Sequence, residues 1–186
     1  MCTYTGRSSG DRVVSNIIKP KRFTSAATQF GKDNEELALH QYQNVKGPNV
    51  KLTKAGFFIH PDKGYLGATP DSLVNDNGDS GLVEVKCPIK FSTMSVMQAA
   101  RDRSYPVKVV NGEYQLKTTH QYYHQIQFQL MCCNDFATFC DFVIFHVDAQ
   151  DILILRIQSD QESLFKYEGK INNFYKTRDI SELLKN

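Results

Sequence analysis

Residues Tyr65 to Lys90 read YLGATPDSLVNDNGDSGLVEVKCPIK. A short strand over Leu66 to Ala68 leads to Pro70-Asp71. A polar run from Asn75 to Gly81 follows, and then Leu82-Val83-Glu84-Val85-Lys86-Cys87, an apolar strand with two charges set into it. Side chains alternate across a strand. Glu84 and Lys86 therefore share one face, while Val83, Val85 and Cys87 point the other way into a core. Asn77-Gly78 is a two-residue hairpin signal. It predicts that the chain folds back and brings Asp71 beside Glu84, so that two carboxylates and an ammonium share one small site.

Asp71 and Glu84 are hard oxygen ligands of the kind that holds Mg²⁺. A divalent ion activates water and stabilises charge on a phosphate. Lys86 would orient or deprotonate the water, or stabilise the phosphoryl charge. An E-x-K pair alone reads as the solvated face of a half-exposed hairpin. Pro70-Asp71 upstream, the hairpin between, and the interleaved apolar residues favour a site.

Upstream, Val50 to His60 (VKLTKAGFFIH) reads as a strand with Gly56 as a bulge. Between Thr24 and Val45 a helix is expected, capped by Thr24 or Ser25, with Leu37, His40 and Tyr42 on its apolar face. By composition alone Glu35 and Glu36 read as solvated surface residues of that helix; the alternative is that one of them reaches the site from a helix packed on the sheet. Residues 1–24 are polar and basic (Arg7, Arg12, Lys19, Lys21, Arg22). They suit phosphate contacts, or equally a solvated terminus, mobile over residues 1–20. Val13, Val14, Ile17 and Ile18 predict an amphipathic helix there, ended by Pro20.

Downstream, Ser92 to Arg103 has helical composition. Val107 to Lys117 predicts a second hairpin about Asn111-Gly112, an insertion at the domain edge. Thr119 to Asn134 (THQYYHQIQFQLMCCN) predicts a helix, with Tyr122 or Tyr123, Ile126, Leu130 and Cys133 at helical spacing. Gln121, Gln125 and Gln129 line up four apart, either as a solvated face or as amides aimed at the carboxylates or a nucleic-acid strand. His120 and His124 share that spacing without an H-E-x-x-H pattern, which argues against a metal pair. Ala137 to Val147 reads as an alternating strand, Asp151 to Gln158 as its hairpin partner, and Asp160 to Lys176 as an amphipathic helix bearing Leu164, Tyr167, Ile171 and Phe174. No repeat or linker is visible, so residues 1–186 are expected to form a single domain.

With 186 residues, 41% of them hydrophobic, the chain can bury a sizeable core. A net charge of +2 does not by itself announce a nucleic-acid binder, so any basic surface must be local. No apolar run is long enough to span a membrane, and Met1 to Ile18 does not read as a signal peptide. Five cysteines without a C-x-x-C pair argue against a disulfide framework or a zinc site and suit reduced thiols in an intracellular protein, cytoplasmic or nuclear.

LGATPDSL, LVEVKCP, YYHQIQFQLM and the long hairpin together resemble the YqaJ-like viral recombinase family, the phage lambda exonuclease type within the PD-(D/E)-x-K nuclease superfamily. The resemblance spans about residues 22–176. It implies an α/β (α+β) fold with a restriction-endonuclease-like core, a central mixed sheet flanked by helices. Gly31-Lys32-Asp33-Asn34-Glu35 matches the family's G-x-x-x-E helix motif, which selects Glu35 over Glu36. Asp71 and Glu84 match the metal-binding acids, with the backbone carbonyl of Val85 as a further ligand. Lys86 matches the catalytic lysine and Gln125 the glutamine of the helix beside the site.

The implied activity is Mg²⁺-dependent hydrolysis of DNA phosphodiesters, with Mn²⁺ able to substitute, from the 5′ end of duplex DNA during recombination or end processing. The implied partners are double-stranded DNA ends, a homotrimer that encloses the DNA, and a single-strand annealing protein. Relatives carry an upstream tryptophan and then an arginine before an I-T-A-S-like run. That pattern is not found here, so the N-terminal segment and its phosphate anchor are expected to be absent. The hairpin at Val107 to Lys117 is also longer than the phage type needs. The alternative readings are an endonuclease or structure-specific nuclease on the same core, and a non-catalytic DNA-binding or interaction module. The intact Asp71, Glu84 and Lys86 speak against the last.

Overall fold

The strand that carries Glu84 lies at the centre of a five-stranded sheet. The computed structural model describes residues 25–176. These fall into two compact units, one over Ser25–Ser159 and another whose described part begins at Asp160. The expectations for residues 1–24, the basic stretch and its helix, lie outside the described residues.

Two helices open the first unit: α1 (Ala26–Asp33) and α2 (Glu35–Lys46). Ser25 caps α1 by accepting the Thr28 N–H at 3.1 Å. Asn34 breaks the helical path at φ −110°, ψ 1°, and its side chain donates back to the Phe30 carbonyl. The single expected helix is therefore two. The buried face of α2 is Ala38 and Tyr42, one turn apart. Leu37 stays exposed, because it sits about 100° around the helix from Ala38.

The expected strand Val50 to His60 is two strands, β1 (Val50–Lys54) and β2 (Phe58–His60), in different sheets. Gly56 lies in the gap between them rather than in a bulge. β2 pairs with β3 (Lys63–Ala68) as a separate ribbon. The main sheet has the order β1-β4-β5-β8-β9, with β4 (Ser72–Asp76), β5 (Asp79–Lys86), β8 (Phe139–His146) and β9 (Asp151–Gln158). Between β4 and β5 the chain turns at Asn77 (φ 57°) and Gly78 (φ 102°). Both lie in the left-handed region that a tight hairpin requires, and the register Asp76↔Asp79 follows.

β5 and β8 run parallel, with Glu84 opposite Phe142 and Val83 opposite Asp141. A parallel pair needs a long crossover. Here it runs through a short 3-10 turn (Ile89–Phe91), α3 (Val96–Ala99), the hairpin β6 (Val107–Val110) and β7 (Glu113–Leu116), and α4 (Gln121–Cys132). The helix expected over Ser92 to Arg103 shrinks to α3 within a run of turns. The Asn111-Gly112 hairpin forms as read. On α4 the buried residues include Tyr123, Ile126 and Leu130, so Tyr123 rather than Tyr122 joins the core.

β8 does not alternate: all eight of its residues are buried. Strands paired on both edges and covered on both faces lose the inside-outside pattern. On one face the core joins Val83, Val85, Cys87, Val143 and Phe145 to Ala38 and Tyr42 of α2. Burying each large side chain of this set contributes about 1.5–3 kcal/mol. α4 packs against β8 on the other side. The second unit contributes α5 (Gln161–Phe174), capped by Asp160, which accepts the Ser163 N–H at 3.1 Å. Leu164, Tyr167, Ile171 and Phe174 form its less exposed face, as the spacing predicts. Among the described residues no helix is long and apolar enough to cross a membrane.

Candidate active site

Strand alternation on β5 sorts the side chains as expected. Val83, Val85 and Cys87 enter the core on one face of β5, while Glu84 and Lys86 turn to the other and bond each other directly. Asp71 sits one residue before β4. Its N–H donates to the Val83 carbonyl at 3.2 Å, and its Oδ2 accepts the Val85 N–H at 2.7 Å. Asp71 is thus stitched to the backbone of β5 on either side of Glu84. The hairpin does what Asn77-Gly78 promised.

Glu84 is 1% exposed. A buried carboxylate requires partners for both oxygens. Oε1 accepts from Lys86 Nζ and from Gln125 Nε2, and Oε2 accepts from Gln129 Nε2 at 2.7 Å. The glutamine row therefore splits along α4. Gln121 is exposed, Gln125 is half-buried at the site, and Gln129 is fully buried. The Lys86 ammonium also lies 5.1 Å from the centre of the Tyr122 ring, a cation–π distance.

Glu35, at the start of α2, lines the same open cleft of about 460 Å³ with Asp71, Val85, Lys86, Tyr122 and Gln125. Lys32 and Lys90 also line it. Lys90 is held by Asp102 and Ser104 at 2.8 and 2.7 Å. All six residues singled out in the sequence, Glu35, Asp71, Glu84, Val85, Lys86 and Gln125, thus meet in one region. Glu36 has no place in the cleft lining. The sequence offers Tyr122 only for the core, and Gln129 only within the row of three glutamines, so neither is singled out for the site. Helical spacing carried a signal for Gln129, four residues beyond Gln125. His120 caps α4 through Nδ1, which accepts the Tyr122 N–H at 3.2 Å, a structural use that the H-x-x-x-H spacing does not reveal.

The electrostatics are unbalanced. Burial, and then the neighbouring charge of Glu84, raises the Asp71 carboxyl well above its ordinary range. The same two causes raise Glu35. Burial alone would lower Lys86, but Glu84 and Asp71 outweigh it, and the group stays an ammonium. Cys87, whose thiol donates to the Asn34 carbonyl, is pushed up to about 11 by burial and is an inert neighbour rather than a nucleophile. Glu35, Asp71 and Glu84 are grouped about the Lys86 ammonium, and Lys32 also acts on Glu35 from the cleft wall. Such a surplus of negative charge accommodates a divalent cation, and the donors are the oxygens that Mg²⁺ prefers. Among the described residues, no group of three or more His, Cys, Asp or Glu side chains is placed to hold a metal ion by itself.

The chain is similar to known proteins in fold and in sequence. Its fold is similar to the crystal structure of an alkaline exonuclease, LHK-Exo, from Laribacter hongkongensis. The TM-score is 0.69 at 23% identity, over 100% of this chain and 86% of that one. It is equally similar to LHK-Exo in complex with dAMP, with a TM-score of 0.68 at 24% identity, over 95% and 81%. No curated protein matches the sequence. The model of the YqaJ-like viral recombinase domain matches residues 7–136, beginning upstream of the stretch in which the motifs were legible and ending before β8. The match takes in Glu35, the Asp71-Glu84-Lys86 hairpin and Gln125 and Gln129 of α4, and the chain belongs to the YqaJ-like viral recombinase domain family.

Proposed function

We propose that the protein is a metal-dependent deoxyribonuclease that degrades linear double-stranded DNA from its 5′ ends, in recombination or end processing. The observation that carries this reading is the cluster of three carboxylates about one ammonium, open to a cleft. Family membership supports it, and LHK-Exo, an alkaline exonuclease that has been crystallised with dAMP, supports the exonuclease form.

Asp71 and Glu84 would hold Mg²⁺ or Mn²⁺, with the Val85 carbonyl as a further ligand and Glu35 reaching in from α2. When bound, such an ion supplies Lewis-acid stabilisation of the charge that develops on the phosphoryl oxygens. The remaining roles belong to the chain. Lys86 keeps its proton because Glu84 and Asp71 stabilise the ammonium, so its first role is to offset phosphate charge. It becomes a proton acceptor only as Glu84 is engaged elsewhere and that stabilisation fades. Gln125 lines the cleft and bonds Glu84, which suits an amide that orients the carboxylate or contacts a nucleotide. Lys32 and Lys90 supply positive charge to the cleft wall for a phosphate backbone. A homotrimer enclosing the DNA and a single-strand annealing partner go with the same reading, and light scattering at micromolar concentration tests the trimer.

The decisive experiment is digestion of end-labelled linear duplex, with and without Mg²⁺, using 5′-phosphate, 5′-hydroxyl and closed circular substrates. Release of mononucleotides from linear duplex with circles spared is expected. Internal cuts in circles would replace the exonuclease with an endonuclease, and binding without cleavage would make the chain a DNA-binding module.

A further inference from the structure

Gln125 and Gln129 stand one turn apart on α4 and donate to different oxygens of one carboxylate. Their surroundings differ. Gln125 lines the cleft, whereas Gln129 is 0% exposed and is absent from the cleft wall. Its Nε2 reaches Glu84 Oε2 at 2.7 Å and the Thr69 carbonyl at 3.4 Å. Two acceptors on that side require the NH₂ group there, so the orientation of the amide is fixed by chemistry. The carbonyl end, Oε1, is the buried side-chain oxygen left without a hydrogen bond among the described residues. A fold that only needed to fill this volume would do better with an apolar side chain, since an unmet buried acceptor is costly.

Thr69 lies two residues before Asp71. One NH₂ group therefore touches both segments that carry the site's acids, the Thr69-Pro70-Asp71 bend and the middle of β5. We propose that Gln129 is a positioning residue, which fixes the Glu84 carboxylate and the bend before Asp71 at the separation a divalent cation requires, while Gln125 is the exchangeable partner on the cleft side. The assignment rests on the metal-dependent reading of the cleft. Groups that orient metal ligands from behind typically change metal affinity or activity by about 10- to 100-fold.

The test pairs Gln129→Met, close in length but without donors, with Gln125→Met in the full chain. Calorimetric titration with Mn²⁺ and steady-state cleavage of linear duplex are read together. Gln129→Met is expected to weaken Mn²⁺ binding by about 10- to 100-fold and to lower kcat, with KM for DNA unchanged because the residue lies outside the cleft. Gln125→Met is expected to change KM as well. A folded Gln129→Met with wild-type Mn²⁺ affinity and kcat overturns the assignment. Side-chain amide exchange by NMR in the metal-free wild type supplies a measurement that survives a variant's failure to fold. The Gln129 NH₂ should exchange slowly, and faster in Glu84→Ala. Fast exchange in the wild type overturns the clamp. Slow exchange in a wild-type protein that binds no Mn²⁺ overturns the metal-dependent reading instead and leaves the Gln129–Glu84 tie standing.

Discussion

Two buried carboxylates occupy neighbouring strands of one sheet and live in opposite electrostatic worlds. Glu84 on β5 is 1% exposed and Asp141 on β8 is 0% exposed. Asp141 faces α2, where it accepts from the Tyr42 hydroxyl at 2.7 Å and from Arg156 Nε and an Arg156 terminal nitrogen at 2.8 and 2.9 Å. Lys46 lies 3.4 Å away and is shared with Asp76, which Arg156 also reaches. In that cluster two carboxylates meet two cations. Burial would raise Asp141, but Arg156, Tyr42 and Lys46 outweigh it and hold the group below its ordinary range. Bonds from Lys46 and Arg156 bring Asp76 down to about 2. Around Glu84 three carboxylates meet Lys86, with Lys32 at the cleft wall, and Asp71 and Glu35 still shift upward. A balanced cluster is complete as it stands and serves the fold. A cluster short of positive charge gains by binding a cation, and the cleft lies there.

The largest expected effect breaks the unbalanced side. Lys86→Ala should lower cleavage by roughly 100- to 10,000-fold while calorimetry still detects Mg²⁺ or Mn²⁺, since one competing positive charge is gone. Asp71→Ala and Glu84→Gln should lose both cleavage and metal binding. Wild-type cleavage by Lys86→Ala would reduce the pair to a charged strand face.

On the balanced side the loss should fall on stability. Arg156→Met leaves Asp141 buried beside a diminished set of partners, at a cost of about 3–5 kcal/mol. The denaturation midpoint should drop, while protein that remains folded cleaves DNA at the wild-type rate. Loss of cleavage without loss of stability would show that the two clusters are coupled.

Acid should distinguish them too. Asp76, with a folded value of about 2 against about 3.9 unfolded, contributes stability that is complete above the unfolded value. That contribution is lost as pH falls through 4 towards 2. Asp141, also depressed, acts in the same direction. Thermal melts between pH 6 and 2 should show this loss, and it should shrink in Arg156→Met. The smallest effect is expected at the hairpin tip. Gly78→Ala, at φ 102°, should cost about 1–2 kcal/mol in a urea melt with the strand register unchanged.

Much of this was legible because the hairpin from Pro70 to Lys86 obeys local rules. Period-two alternation, an Asn-Gly turn and apolar residues between the charges fix which face Glu84 takes. Locality also explains the misreadings. The Asn34 break between α1 and α2 depends on one residue's backbone geometry. The split of residues 50–60 depends on β1 and β2 finding partners in different sheets. β8 lost its alternation to a parallel neighbour more than fifty residues away in sequence, which no window around it could reveal. The Asp141 cluster draws on Tyr42, Lys46, Asp76 and Arg156, and nothing in their spacing announces that they meet. Gln129 lay within reach, since its offset from Gln125 was visible. Its contact with Thr69, from another segment, was not.

The alternation along β5 has a consequence for how this protein can fail. Val83 and Val85 are wedged into the core, and Gly81 lies under the Phe139 ring so closely that an added methyl would come within 2.5 Å of it. A slip of one residue in the hairpin would carry the valines out and Glu84 in. The core thereby acts as a proofreader of the site, because a chain that has packed has already set its acid and its lysine on the correct side. Inactive but well-folded molecules cannot arise here by misalignment of this strand, so loss of activity in a folded variant should trace to the chemistry of a side chain and not to its address.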